Sequence, residues 1–195
     1  MEIRHKTIST PDNQVDGDDW NDKHNVTPML LGYELVEEIV APAGSTSIIF
    51  TGLNGDEDIE YLLEIVASSS NNNSNNVAKL LFNADDGDNY NFQEHYQVES
   101  NIGYGSNTRI TAIESTYNEI LTHQKSKLTI YAKSGTIRMC EGKYVRKTPN
   151  HLAQSQVTAY WNNTTSIITS ITIAAYSPFT FSGTFRLWKR IKEVS

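Results

Sequence analysis

The sequence contains a single cysteine, Cys140, and no apolar run that approaches the roughly 20 residues of a membrane-spanning helix. One cysteine excludes an internal disulfide and any zinc site with several cysteine ligands. The first residues, MEIRHK, lack the apolar stretch of a signal peptide, so we expect synthesis in a cytoplasm. Sixteen Lys and Arg against 23 Asp and Glu give a net charge of −7, which argues against nucleic-acid binding through phosphate neutralisation.

Motifs that carry catalysis are also scarce. No G-x-S-x-G nucleophile motif is present, and residues 103–106, GYGS, lack the strand-turn-helix context of a nucleophile elbow or a phosphate-binding loop. No two of the five histidines have the close spacing of a metal site; they are His5, His24, His95, His123 and His151. We therefore predict a protein that is not an enzyme and has no cofactor.

One acidic segment, residues 83–94, comes nearest to a metal-binding motif. Asn83, Asp85 and Glu94 fall at positions 1, 3 and 12 of a calcium loop. Gly87 at position 5 and Asp88 at position 6 break the pattern, because the loop needs its glycine at position 6. A turn rich in Asp, Asn and Gly needs no metal, so we predict that none is required for folding.

Strand patterns dominate the sequence, most clearly at residues 157–191. Residues 157–161 are β-branched and aromatic, and residues 167–174 alternate with Ile167, Thr169, Ile171 and Ile173 on one face. In the last strand Phe185 and Leu187 point one way, while Arg186, Trp188 and Arg190 point the other. Such a segment needs a second apolar face to cover it.

The chain upstream supplies that second face. Predicted strands cover residues 33–40, 47–50, 59–66, 77–82, 90–98, 109–113, 127–132 and 138–147. Polar turns separate them at 41–44, 54–56, 68–76 and 83–89. Residues 113–122 fit helical spacing as well as a strand, and we interpret them as extended because their neighbours are strands. We predict an all-β fold, an antiparallel β-sandwich over residues 33–195.

Residues 1–32 are too polar to build a core. They form either a loose tail or an extended arm that orders against a partner. Trp20 favours the arm, because a large aromatic side chain is an efficient anchor in a pocket. We predict that Trp20 binds that partner.

Seven aromatic residues have two possible uses: Tyr90, Phe92, Tyr96, Tyr104, Tyr160, Trp161 and Trp188. They fill the core and a subunit interface, or, where exposed, they stack on sugar rings in a glycan site. We favour the core and the interface. Trp188, opposite in phase to Phe185 and Leu187, is predicted to be exposed and to anchor a partner subunit.

Several segments resemble small structural proteins of tailed bacteriophages. Residues 80–90, LLFNADDGDNY, resemble the "rFNgDtgtNY" segment of those proteins. The same proteins have an "i-n-Y" strand that precedes a lysine-rich strand. Residues 128–131, LTIY, resemble the first of these strands, and residues 143–147 resemble the second. Trp161, residues 165–173 and residues 183–187 are similar to their C-terminal end, although Trp188-Lys189 stands where the family usually has Tyr-Gly. Residues 16–20, DGDDW, resemble the "VDGD-W" arm of phage tail appendages, which implies that Asp16, Gly17 and Asp18 bind the partner together with Trp20.

The resemblance spans most of residues 16–191. It implies a jelly-roll-like virion component, either a capsid decoration or head-fibre protein or a tail-fibre or adaptor module. It also implies an N-terminal arm that binds other virion proteins, a homotrimer, and a location at the virion surface after synthesis in the host cytoplasm. A host surface glycan is a possible further partner. No catalytic residue, nucleic-acid binding or membrane insertion is implied.

Overall fold

The computed structural model describes residues 29–30, 32–69, 78–98, 101–110, 113–114, 123–147, 152–175 and 180–191. The predicted arm residues Asp16, Gly17, Asp18 and Trp20 lie outside these ranges. In chain order the elements are β1 (Met29–Leu30), β2 (Tyr33–Ser45), β3 (Ser47–Phe50), α1 (Gly55–Asp58), β4 (Glu60–Ser69), β5 (Ala78–Phe82), β6 (Tyr90–Val98), β7 (Asn101–Ile110), β8 (Ile113–Glu114), β9 (His123–Tyr131), β10 (Arg138–Lys147), β11 (Leu152–Trp161), β12 (Ile171–Ala175) and β13 (Phe181–Arg190).

The strands form two antiparallel sheets, which confirms the predicted all-β sandwich. The large sheet has the order β1-β2-β13-β4-β9-β10-β11-β6-β7, and the small sheet has the order β3-β12-β5-β8. Strands from the two ends of the chain pair in both sheets, β2 with β13 and β3 with β12. The β-sandwich is therefore observed, and its jelly-roll-like character stays a prediction.

The core lies between the inner faces of the two sheets. Strand β11 shows the alternation that builds it, because every second residue from Ala153 to Trp161 is buried and the residues between them are exposed. The largest fully buried side chains include Phe50, Phe82 and Ile171 of the small sheet and Tyr61, Leu63, Ile130, Trp161, Phe185 and Leu187 of the large sheet. The predicted inward direction of Phe185 and Leu187 is therefore confirmed.

The turn predicted at residues 41–44 was wrong, because strand β2 continues through them to Ser45. Pairing between β2 and β13 is irregular here, passing from Gly183 opposite Ala41 to Phe181 opposite Ser45. Pro42 has no N–H to donate to a ladder, and an irregularity accommodates it. The turn-forming residues thus distort a strand without ending it.

The strand predicted at 167–174 begins only at Ile171. Ile168 is fully buried and Ile167 is exposed, so the predicted placement of Ile167 on the same face as the buried Ile171 and Ile173 was wrong. The reason is that residues 167–170 hydrogen-bond to other loops: Leu53 N donates to Thr169 O, and Gly55 N donates to Ile168 O. Within the described part of the chain, no helix is long and apolar enough to cross a bilayer.

Candidate functional site

Trp188 is the one predicted binding residue that lies in the described part of the chain, and it is buried, with 8% of its surface exposed. It stands on the outer face of the large sheet, directly opposite Leu35 on β2 and Leu62 on β4. Its indole Nε1 donates to Glu64 Oε2 at 3.1 Å. The prediction that Trp188 is exposed was therefore wrong, since apolar neighbours and a carboxylate on adjacent strands enclose it. Its role at a subunit interface stays a prediction.

Charged side chains surround Trp188 on this part of the outer face. Arg186 pairs with Glu38, and Lys127 Nζ lies 3.7 Å from Glu64 Oε1. Glu60, which is 6% exposed, accepts hydrogen bonds from the Tyr33 hydroxyl and, at 3.4 Å, from Arg190 Nη1. We call the outer face of β2, β13, β4 and β9 the charged half.

The acidic turn at 83–89 is held by protein donors. Asp85 accepts from Trp161 Nε1 at 2.6 Å, from Gly87 N at 2.9 Å, and from the Asn89 amide at 3.0 and 3.2 Å. Asn83 Oδ1 accepts from the backbone N–H groups of Thr169 and Ser170. Two of the three candidate calcium ligands thus already accept several hydrogen bonds from the chain. Among the described residues no group of three or more His, Cys, Asp or Glu side chains is placed to hold a metal ion.

Arg138 is fully buried at the same end of the sandwich, and sequence reasoning missed it. Its guanidinium donates to the carbonyl oxygens of Asn163 and Ser166 and lies 5.5 Å from the centre of the Trp161 ring. Burial lowers the pKa of Arg138, and the nearby Asp56 carboxylate opposes that shift. Arg138 therefore fixes the 162–170 loop to the core.

The seven predicted aromatics divide between core and surface. Tyr90, Phe92 and Trp161 are in the core, as favoured, and Tyr96 is partly buried. Tyr104 and Tyr160 are exposed, at 79% and 37%. Tyr104 lies on β7 and Tyr160 on β11, the two strands that pair with β6, and both side chains are on the outer face of the large sheet.

That region of the outer face, formed by β10, β11, β6 and β7, carries a row of amide side chains. Gln93 and Gln97 project from β6, and Gln154 and Gln156 project from β11. Gln154 Nε2 donates to Gln97 Oε1 at 3.0 Å across the two strands. We call this region the amide half.

Two adjoining grooves cross the amide half. The first has a volume of about 420 Å³ and is lined by Gln93, Glu94, His95, Tyr104, Gly105, Ser106, Gln156 and Thr158. The second has a volume of about 270 Å³ and is lined by His95, Gln97, Lys143, Tyr144, Val145, Gln154, Ser155 and Gln156. Since His95 and Gln156 line both, the grooves form one continuous surface.

An aromatic pair stands at the edge of the first groove. The His95 and Tyr104 rings, opposite each other on β6 and β7, are stacked with centroids 4.9 Å apart and planes inclined by 16°. Gly103 lies opposite Tyr96, whose ring occupies the space that a side chain at 103 would need. The glycine-rich segment 103–106 is therefore part of a strand that presents Tyr104, and the alternating Gly-Tyr-Gly is the signal that could have indicated this.

The amide half can bind a ligand through a ring face, amide groups and hydroxyl groups. The one cysteine is elsewhere, since Cys140 is fully buried and burial raises the pKa of its thiol to about 12. Comparisons of the chain with protein-family models, with curated proteins and with solved structures found no match.

Proposed function

We propose that this chain is a non-enzymatic structural component of a tailed-bacteriophage virion. Residues 1–32 attach it to capsid or tail proteins, and the β-sandwich is presented at the particle surface. The proposal includes a closed homo-oligomer, with a trimer favoured by the resemblance. It rests on the phage-like segments together with the part that one of them, residues 80–90, plays in the fold.

The observation that carries the proposal is the structural use of that segment. Asp85 and Asn83 hold the turn and the 162–170 loop through the hydrogen bonds described above. The Tyr90 hydroxyl accepts from Phe82 N at 2.9 Å and donates to Asp85 O at 3.1 Å. Its ring stacks on Trp161 at a centroid distance of 6.3 Å. The polar residues of the phage-like motif thus hold the turn and the 162–170 loop in place at one end of the sandwich. A structural role of this kind is expected for a motif of structural proteins.

The start of the described chain supports attachment through the N-terminal residues. Strand β1 pairs with β2 through Met29 opposite Glu34 and Leu30 opposite Tyr33, at the edge of the large sheet. The described part of the chain therefore begins at an edge of the large sheet, and removal of residues 1–28 deletes none of its strands.

Deleting residues 1–28 tests the attachment role. Because both sheets keep all their described strands, we expect the truncated protein to melt cooperatively like the full chain. It should be absent from phage particles purified on a density gradient, as measured by immunoblot against the full chain expressed at the same level.

A second variant sharpens the test. Trp20→Ala in the full chain should reduce incorporation, since a buried aromatic anchor typically contributes about 2 kcal/mol or more to binding. Sedimentation equilibrium of the full chain gives the number of subunits. Incorporation of the truncated protein at the full-chain level would contradict the attachment role.

A further inference from the structure

We propose that the amide half binds a neutral carbohydrate, with the Tyr104 ring as the platform for one sugar ring and Gln93 and Gln156 as hydrogen-bonding partners. The inference concerns a binding site and a ligand class, so it goes beyond the attachment role. It does not depend on that role, because the site lies within one chain.

The exposed ring of Tyr104 offers a face on which a sugar can stack. At 79% exposure most of the side chain is open to solvent, although His95 stacks against the ring at 4.9 Å. The face of an aromatic ring is electronegative and attracts the weakly positive C–H groups that line one side of a pyranose. Tyrosine has only two side-chain torsions, and the stack on His95 restricts them, so a sugar would find the platform already ordered.

The groove beside this platform offers hydrogen-bonding groups for the hydroxyls of the sugar. Gln93 and Gln156 each offer an amide oxygen that accepts and an amide nitrogen that donates, and Ser106 and Thr158 add hydroxyl groups. A sugar hydroxyl both donates and accepts, and neighbouring hydroxyls on a ring match the two ends of one amide. These four side chains are uncharged, which suits a neutral ligand.

The adjoining groove indicates how long the ligand is. It continues from His95 and Gln156 to Gln97 and Gln154. A single sugar ring on Tyr104 would leave this second groove empty, whereas an oligosaccharide would extend into it. The geometry therefore points to a chain of at least two sugars.

The charge of the lining disfavours nucleic acid as the ligand. Among the described residues, Lys143 is the only Lys or Arg that lines either groove, and binding to a phosphate backbone relies on several such residues. The core of a protein interface is rich in aromatic residues, Met and Arg, whereas this lining is rich in amides. A carbohydrate fits both the stacked ring and the amide row.

The first experiment is a screen of the purified full chain against an array of bacterial surface oligosaccharides. Saturation-transfer NMR with the retained oligosaccharide then identifies the sugar protons that contact the protein. We expect retention of at least one neutral oligosaccharide, with transfer strongest at the C–H protons of one ring. If the array retains no neutral oligosaccharide, the inference is overturned.

Three substitutions assign the binding to the proposed residues. Tyr104→Ala should weaken binding about tenfold or more, because the stacked ring is lost. Tyr104→Phe should bind like the wild type, since the hydroxyl is not the platform. Gln156→Ala should weaken binding about three- to tenfold through loss of one or two hydrogen bonds.

Tyr131→Ala is the matched control. Tyr131 is 42% exposed on β9 and lines neither groove, so its removal should leave binding unchanged. Far-UV circular dichroism checks that each variant is folded. Wild-type affinity in a folded Tyr104→Ala variant, or equal losses in Tyr104→Ala and Tyr131→Ala, would overturn the assignment. Both outcomes leave the attachment role untouched, because that role is measured on particles.

Discussion

The two halves of the outer face belong to one sheet but use different side chains. In the charged half, Trp188 and Leu62 are buried, and charged residues pair across strands, as Arg186 does with Glu38. In the amide half, Gln93 and Gln156 line an open groove beside a tyrosine that is 79% exposed. One half therefore contributes buried area and ion pairs to stability, and the other presents hydrogen-bonding groups to solvent.

This contrast assigns stability to the charged half and the proposed ligand binding to the amide half. Buried apolar surface is worth about 25 cal/mol per Å², so a covered tryptophan stabilises the protein much more than an exposed tyrosine does. Amide groups that face solvent add little to stability, because water bonds to them in the unfolded chain as well. Substitutions in the charged half should therefore affect folding, and those in the amide half should affect binding.

The largest expected effect is that of Trp188→Ala. The substitution removes a large side chain that is only 8% exposed and leaves a cavity beside Leu62. It should lower the free energy of unfolding by about 3 kcal/mol, measured by urea denaturation.

The same urea denaturation of Tyr104→Ala in the amide half provides the comparison with Trp188→Ala. Because that side chain is mostly exposed, the free energy of unfolding should change by no more than about 0.5 kcal/mol. Similar losses in the two variants would contradict the division of the outer face into two halves.

A smaller effect is expected from alkaline pH through Tyr33. Burial, followed by the hydrogen bond to Glu60 and the charge of Glu60, raises the pKa of Tyr33 from 10.0 to about 12. Because the pKa is higher in the folded protein than in the unfolded chain, the folded state holds this proton more tightly. The stabilisation is therefore complete below pH 10 and is lost as the pH rises from 10 to about 12.

Tyr33→Phe tests this pH dependence. Urea denaturation over that pH range should show a shallower loss of stability in the variant than in the wild type. Part of the loss will remain, since burial also raises the pKa of Tyr61 and of Tyr90. Parallel losses in the two proteins would show that Tyr33 does not contribute to the alkaline sensitivity of the charged half.

The smallest effect is expected from the Lys127 and Glu64 pair. Its 3.7 Å separation and the 54% exposure of the Lys127 side chain place it among the surface ion pairs. A double-mutant cycle with Lys127→Gln and Glu64→Gln should give a coupling free energy of about 0.3 kcal/mol that disappears in high salt. Glutamine at 64 can still accept from Trp188, so the cycle isolates the charge. A coupling above about 1 kcal/mol would mean that the pair is more shielded from water than its exposure indicates.

Much of the fold could be predicted from periodicity. Strand β10 was predicted with the bounds that the structure has, and Tyr61 and Leu63 point into the core as the alternation in β4 indicated. Periodicity fails where a loop competes with the ladder. Residues 167–170 are such a case, because Asn83 and the backbone at Leu53 and Gly55 bond to them from distant parts of the sequence.

Apart from Tyr104, which is among the predicted sugar-stacking aromatics, the candidate site could not be predicted, because it depends on which strands are neighbours. Gln93 and Gln156 are more than 60 residues apart and meet only because β6 pairs with β11. Trp188 was correctly separated from the inner positions of Phe185 and Leu187, yet its burial depends on Leu35 and Leu62 in two other strands. A single strand shows which face a residue occupies, and its neighbours decide whether that face is covered.

The position of Cys140 makes the protein its own chemical reporter of unfolding. The thiol is fully buried on β10, between its β9 partner Ile130 and its β11 partner Ala159. A thiol reagent in solution can reach it only in molecules whose large sheet has opened at its centre. The rate of thiol labelling under native conditions therefore measures how often the large sheet opens around Cys140, with no second cysteine to confuse the signal.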